Sequence, residues 1–153
     1  MTRVCILGAA DTDLRRELLS RETSRDALAT YDLAAPFHNS VAVDTVSLGA
    51  AVSLLNDLNW YLVRFADGAL VREPSISESE WLSRDLAERV RDAEIPHEET
   101  KVFLKIYGLA DGELVEPLYV KRGEDGEVPA YDLRDVEETV VVRVSADEFG
   151  GSR

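Results

Sequence analysis

The densest apolar stretch of the chain lies between Ser47 and Glu73, SLGAAVSLLNDLNWYLVRFADGALVRE. In its first half Leu48, Ala51, Val52, Leu55 and Leu58 recur every three or four positions, the spacing of one helix face. Ala50 and Leu54 widen that face, leaving Ser53, Asn56 and Asp57 to meet water. Ser47 is suited to cap the helix start through its hydroxyl, and Asn59 to close the other end in a left-handed conformation. Beyond it the pattern alternates. Trp60, Leu62 and Arg64 fall on one side and Tyr61, Val63 and Phe65 on the other, which predicts a strand. Asp67-Gly68 then predicts a hairpin turn, with Ala69 to Arg72 returning as the partner strand. An element this apolar belongs in the core, and Trp60 is expected there with it.

The remaining elements follow the same logic. Thr2 to Ala9 contains the unbroken run Val4, Cys5, Ile6, Leu7 and predicts a buried strand, with Gly8 to Asp11 turning into a helix near Thr12. Residues 13–31 predict a helix in two pieces, Leu14, Leu18 and Leu19 in the first and Ala27 and Leu28 in the second. Ala34-Ala35-Pro36 is a connector, and Val41, Val43 and Thr45 predict a second strand. Ser77-Glu78-Ser79-Glu80 has the form of a capping box. It predicts a helix carrying Leu82, Leu86, Val90 and Ala93 on one face, with Trp81 at its flank. Pro96 to Glu99 reads as a further helix start with Gly108 as its stop, so 97–107 is taken as helix, although the β-branched and aromatic run Val102 to Tyr107 suits a strand equally. From Asp111 onward, turn signals at Asp111-Gly112 and Gly123 to Gly126 predict a hairpin of Leu114–Lys121 with Val128–Tyr131. Val140, Val142 and Val144 predict a last strand, and Glu148 to Arg153 a frayed end. The fold class expected is α+β: a mixed sheet of about four strands with helices packed on it, plus a C-terminal β segment. Residues 1–109 are expected to form the core domain, 110–149 a β segment packed on it or a small appendage, and 150–153 a tail.

Charge changes the picture more than any other compositional feature. Thirty acidic residues face seventeen basic ones, for a formal net charge of −13, and only Lys101, Lys105 and Lys121 are lysines. The acids are spread along the whole chain. Such an acidic, lysine-poor surface resembles the proteomes of haloarchaea that accumulate salt, and implies a medium in which screening suppresses self-repulsion. The stretch LNWYL, and SESEWLSRDLA after it, is also similar to small uncharacterised haloarchaeal proteins of comparable length, a resemblance that brings no activity and no site residues with it. The negative charge argues against nucleic acid, whose recognition needs cations at phosphates. No apolar run approaches a membrane span, and no basic leader with an apolar core follows Met1. A cytoplasmic protein without a membrane partner is expected. With Cys5 the only cysteine, no intrachain disulfide or cysteine zinc site is possible.

Candidate chemistry concentrates at the first strand–helix turn, where Gly8, Asp11 and Thr12 are the cofactor-binding candidates. Strand, glycine, helix is a geometry in which backbone N–H groups can hold a phosphate. One glycine is not the three-glycine dinucleotide fingerprint, and the lysine of a P-loop is missing. Asp11 and Asp13 place negative charge where an anion would sit, and Arg15 and Arg16 offset them only in part. His38 and His97 have no partner at metal-ligand spacing, and no serine or cysteine lies in a nucleophile motif. Asp11 with Asp13, or Glu98 with Glu99, offers oxygens to a hard cation, but solvated surface accounts for both pairs. No catalytic residue, metal or cofactor is expected. Two function classes remain. One is a non-enzymatic binding or regulatory module working with a protein partner or as a homo-oligomer. The other is a small-ligand, nucleotide-binding or enzymatic domain built on the Gly8 to Thr12 turn. A concave pocket there with His38 or arginines converging on it favours the second; a flat apolar patch on the last β segment favours the first. The charge itself yields a prediction. Thermal melts from about 0.1 to about 3 M KCl will show a steeply rising midpoint, because at molar salt the Debye length falls to about 3 Å; a flat series would remove the halophilic reading.

Overall fold

The computed structural model describes residues 1–128 and 138–151. Strand β1 (Thr2–Gly8) is flanked by β2 (Ser40–Thr45) on one side and β3 (Ala66–Arg72) on the other, both antiparallel to it. β3 pairs with the short β4 (Trp81–Ser83). A second antiparallel unit consists of β5 (Phe103–Ala110), β6 (Glu113–Lys121) and β7 (Glu138–Val144), with β5 in the middle. The two units meet where β4 runs parallel to β7, pairing Trp81 with Val142 and Leu82 with Arg143. Among the described residues this makes one seven-stranded sheet in the order β2-β1-β3-β4-β7-β5-β6, more than the four or so strands expected. The sheet curls. The loop before β2 and the turn between β5 and β6 come from opposite ends of that order, yet the His38 N–H donates to the Gly112 carbonyl at 2.7 Å.

The helices α1 (Leu14–Leu19), α2 (Glu22–Leu28), α3 (Leu48–Asp57), α4 (Asn59–Phe65) and α5 (Arg84–Arg91) bury their apolar stripes against one face. Val4 and Ile6 from β1 and Val41 and Val43 from β2 meet them there, because alternate strand residues share a face. The opposite residues, Cys5, Ala42 and Leu70, join Trp81, Val142 and Val144 in a second core inside the curl. Burial pushes the Cys5 thiol up to about 12, against smaller lowering influences from Ser40, Arg3 and Arg72, so it stays a neutral apolar side chain.

Several expectations are corrected. Residues 60–65 form helix α4, not a strand. Leu58, Tyr61, Leu62 and Phe65 follow the helical spacing and pack inward, whereas Trp60 is 50% and Val63 72% exposed. Trp60 is therefore not core; its ring lies under the Arg64 guanidinium at 3.7 Å. Asp67-Gly68 is no turn either. The chain passes from α4 directly into β3, and the irregularity appears as a register shift opposite Leu7/Gly8. Ser77 does accept from the Glu80 N–H at 3.0 Å, but the helix starts six residues later, where Ser83 caps α5 by accepting from Leu86 N–H. Glu80 does not reach back to Ser77: its carboxylate is taken by Arg122 and Arg143, and the chain from Trp81 extends as β4. Only His97–Lys101 of 97–107 is helical, a 3₁₀ turn. From Phe103 the chain is strand β5, in which Leu104 and Ile106 are wholly buried. Gly108 lies within that strand rather than ending a helix. β6 pairs with β5 through Asp111-Gly112, both at positive φ as the tight turn requires. Val128 is outside any strand, and 129–131 lie outside the described residues. Glu148, expected to fray, belongs to α6 (Ala146–Gly151), which opens with a reciprocal capping box: Ser145 N–H donates to Glu148 and Glu148 N–H to the Ser145 hydroxyl.

Glu80 holds the junction between the two units. Its Oε1 accepts from Arg122 and from Arg143, each at 2.7 Å, and Arg143 also donates to the Thr100 hydroxyl. Burial, the largest influence on this carboxyl, raises its pKa, but the hydrogen bonds from Arg143 and Arg122 outweigh it and the net shift is downward. A depressed folded-state value contributes stability above the ordinary glutamate value of 4.5, which is lost as pH falls through the folded one. Glu80→Ala will cost about 3 kcal/mol in urea melts at neutral pH, by leaving two largely buried guanidinium groups unpaired. The deficit of Glu80→Gln against the parent will shrink as pH falls below 4.5; a constant deficit down to acid unfolding would refute the assignment.

Candidate functional site

A cleft of about 740 Å³ opens where β1 ends, and the turn built from Gly8, Asp11 and Thr12 forms one of its walls. The three cofactor-binding candidates therefore meet at one concave site. The turn is held by Asn39 from the loop before β2. Its backbone carbonyl accepts from Gly8 N–H at 2.8 Å, its Oδ1 accepts from Leu14 N–H at 2.9 Å, and its Nδ2 donates to the Ala9 carbonyl at 3.1 Å. Asn39 has φ 54°, a left-handed conformation that asparagine tolerates better than most residues. The need for glycine at position 8 follows. A Cβ there would stand 2.4 Å from Asn39 Nδ2, so the missing side chain makes room for the asparagine rather than for a phosphate.

Two donors at the start of α1 are already used, Leu14 N–H by Asn39 and Arg16 N–H by the Asp13 carboxylate at 3.2 Å. Arg15 and Arg16 are exposed and neither lines the cleft. The charged lining is instead acidic: Asp11 and Asp13 beside the turn, Asp67 from β3, the strand paired with β1, and Glu113 from β6, with His38 also on the lining. Phe37 and Tyr107 add aromatic surface. Among the described residues no lysine or arginine lines this cleft, and no three acidic, histidine or cysteine side chains gather closely enough to hold a metal ion.

Leu7, Asp67 and Tyr107 also line an adjoining recess of about 160 Å³, which contains Lys105. The Lys105 ammonium lies 4.9 Å from the Tyr107 ring centre and 5.6 Å from that of Tyr119. Burial would lower its pKa, but hydrogen bonding with Tyr107 and the attraction of both phenols carry the net shift upward, so the group is a cation at neutral pH.

Asn39, Asp67, Tyr107 and Glu113 have no signal in the linear pattern that ties them to the turn. Asp67 reads as a turn residue and Tyr107 as part of a helix; the pairing of β3 with β1 sets Asp67 beside Gly8, and the curl of the sheet brings Tyr107 to the same cleft. The Asp111-Gly112 pair is the single legible clue, since a tight turn there fixes where Glu113 begins its strand.

The family model described as Family of unknown function (DUF5804) matches residues 2–109. No curated protein and no solved structure matches the chain. Among the described residues no helix is long and apolar enough to cross a membrane.

The Gly8–Asn39 contact is directly testable. Gly8→Ala will destabilise the fold by roughly 2–3 kcal/mol, because Asn39 must surrender its bonds to Leu14 and Ala9. In an Asn39→Ala background the same substitution will cost much less, so a double-mutant cycle by urea unfolding will be strongly non-additive. Additive costs would show that the contact does not hold the turn.

Proposed function

The chain belongs to that family, and we propose that it is a non-enzymatic binding module that takes a small organic cation into the cleft beside the β1–α1 turn. The observation carrying this reading is the lining: four carboxylates, no lysine or arginine among the described residues, and the aromatic side chains of Phe37 and Tyr107. Carboxylates and aromatic rings together attract ammonium groups, the first by charge and the second through the ring quadrupole. The same lining opposes a nucleotide. Two like charges 4 Å apart near a protein surface repel by about 4 kcal/mol, equivalent to about a thousandfold in affinity. The cleft with His38 on its lining is the concave arrangement that favours a ligand site over a flat docking face. The acidic, lysine-poor composition supports a salt-rich cytoplasm as the setting.

A second reading, docking of a protein partner or a second copy, draws on the exposed Trp60 and Val63 of α4, one turn apart on its outer side. The cleft is favoured because it unites charge, shape and aromatic surface in one place.

Titration calorimetry of the full chain against cadaverine and against ATP, with and without Mg²⁺, tests the proposal. Cadaverine will bind, and Asp67→Asn with Glu113→Gln will weaken it by about tenfold or more, near 1.4 kcal/mol. ATP will show no saturable binding. Tighter binding of ATP, or cadaverine binding indifferent to both substitutions, would overturn the reading.

A further inference from the structure

We infer that the ligand of the cleft carries an anionic group as well as its ammonium, and that Lys105 in the adjoining recess receives it. This rests on the reading of the cleft as an organic-cation site and adds the second half of the ligand. In a chain with thirty acidic and seventeen basic residues, a cation has ample opportunity to pair. Lys105 is partly buried, yet among the described residues it makes no ion pair with a carboxylate; its ammonium faces two phenol rings instead.

The acids around it are committed elsewhere or serve the cleft. Glu148 accepts from the Ser83 hydroxyl and from Ser145 N–H, and Asp85 is paired with Arg89 at 3.0 Å. Asp67 lines both cavities and stands between them. A molecule lying past Leu7 and Tyr107 thus meets acid on one side and a lysine without a carboxylate partner on the other. Lys105 and Tyr107 lie two residues apart on one strand face, about 7 Å along β5, a span that a five-carbon chain covers. The ligand class is a short ω-amino acid: ammonium toward Asp67 and the outer carboxylates, carboxylate toward Lys105. Such a molecule presents each of its charges to the opposite charge, whereas a diamine of equal length would drive one ammonium against Lys105.

Three probes of equal carbon length separate the possibilities: δ-aminovalerate, cadaverine and valerate, each titrated into the full chain by calorimetry at constant KCl. The expected result is δ-aminovalerate binding at least about tenfold more tightly than either of the others. Lys105→Met will bring its affinity down to that of cadaverine, and Lys105→Arg will retain most of it. Because the ranking of probes on the parent protein needs no variant, the inference stays testable even if Lys105→Met fails to fold. Cadaverine binding as tightly as δ-aminovalerate would remove the role of Lys105 and leave the organic-cation site standing. Binding of none of the three would remove both, and valerate binding best would invert the charge assignment and refute both.

Discussion

Glu80 between Arg122 and Arg143 is the interaction on which the rest of the structure depends. The sheet is two antiparallel units, and among the described residues the only strand pairing between them is the short parallel contact of β4 with β7. Two register pairs make a weak seam. Glu80 stands one residue before β4, Arg143 lies in β7 and Arg122 immediately follows β6, so one carboxylate ties both ends of the second unit to the first. The three side chains are 11–17% exposed, low enough that charge-assisted hydrogen bonds are little weakened by water and that an unpaired guanidinium would be costly. Arg122 extends the clamp to the Lys101 carbonyl, and Arg143 to Thr100, which brings in the 3₁₀ turn as well. On the far side of β4, Ser83 donates to Glu148, and Arg89 bridges Asp85 and Asp147, so α6 is fastened to α5.

The cleft is a consequence of that seam. With the second unit fixed on β4, the curl carries the β5–β6 turn round to the loop before β2, where a backbone hydrogen bond joins His38 to Gly112. Between these lies the space that neither helix nor strand fills. Asn39 pressed against Gly8, with Asp67 of the neighbouring β3, shapes one part of the lining, and Tyr107 and Glu113 of the second unit add to it. The second core inside the curl reaches its limit at Leu7, Phe37 and Tyr107, partly buried residues that also line the cleft. Apolar and acidic residues therefore line one continuous cleft.

Net charge and site charge have different meanings here. Most of the acids stand on open surface, where their mutual repulsion is a cost that salt relieves. Asp11, Asp13, Asp67 and Glu113 are exposed too, but they line one cleft together. Lys105 is one of only three lysines, and its position beside this cluster rather than within an ion pair sets it apart from the arginines, several of which are engaged by carboxylates.

The linear sequence by itself determined the α+β class, strands β1, β2, β6 and β7, helices α1, α2 and α3, the Ser47 cap and the tight turn at Asp111-Gly112, because each is specified by neighbours within a turn or two. The turn of Gly8, Asp11 and Thr12, singled out from the sequence, lines the cleft. What the sequence left to the tertiary structure are segments whose local signals compete. Leu58, Tyr61, Leu62 and Phe65 satisfy a helical period inside a run that also alternates, and the choice fell to packing of that stripe against the sheet. Ser77 and Glu80 spell a capping box, but two arginines from beyond residue 120 offer Glu80 a stronger partner than a backbone N–H can, and the helix moves down to Ser83. Tyr107 acquires its place in the cleft only when the sheet curls, and Asp67 acquires its place beside Gly8 through the pairing of β3 with β1. A site assembled from strands at opposite ends of a sheet has no spacing in the chain, and long-range ion pairs and strand pairing, which no local pattern encodes, had to decide it.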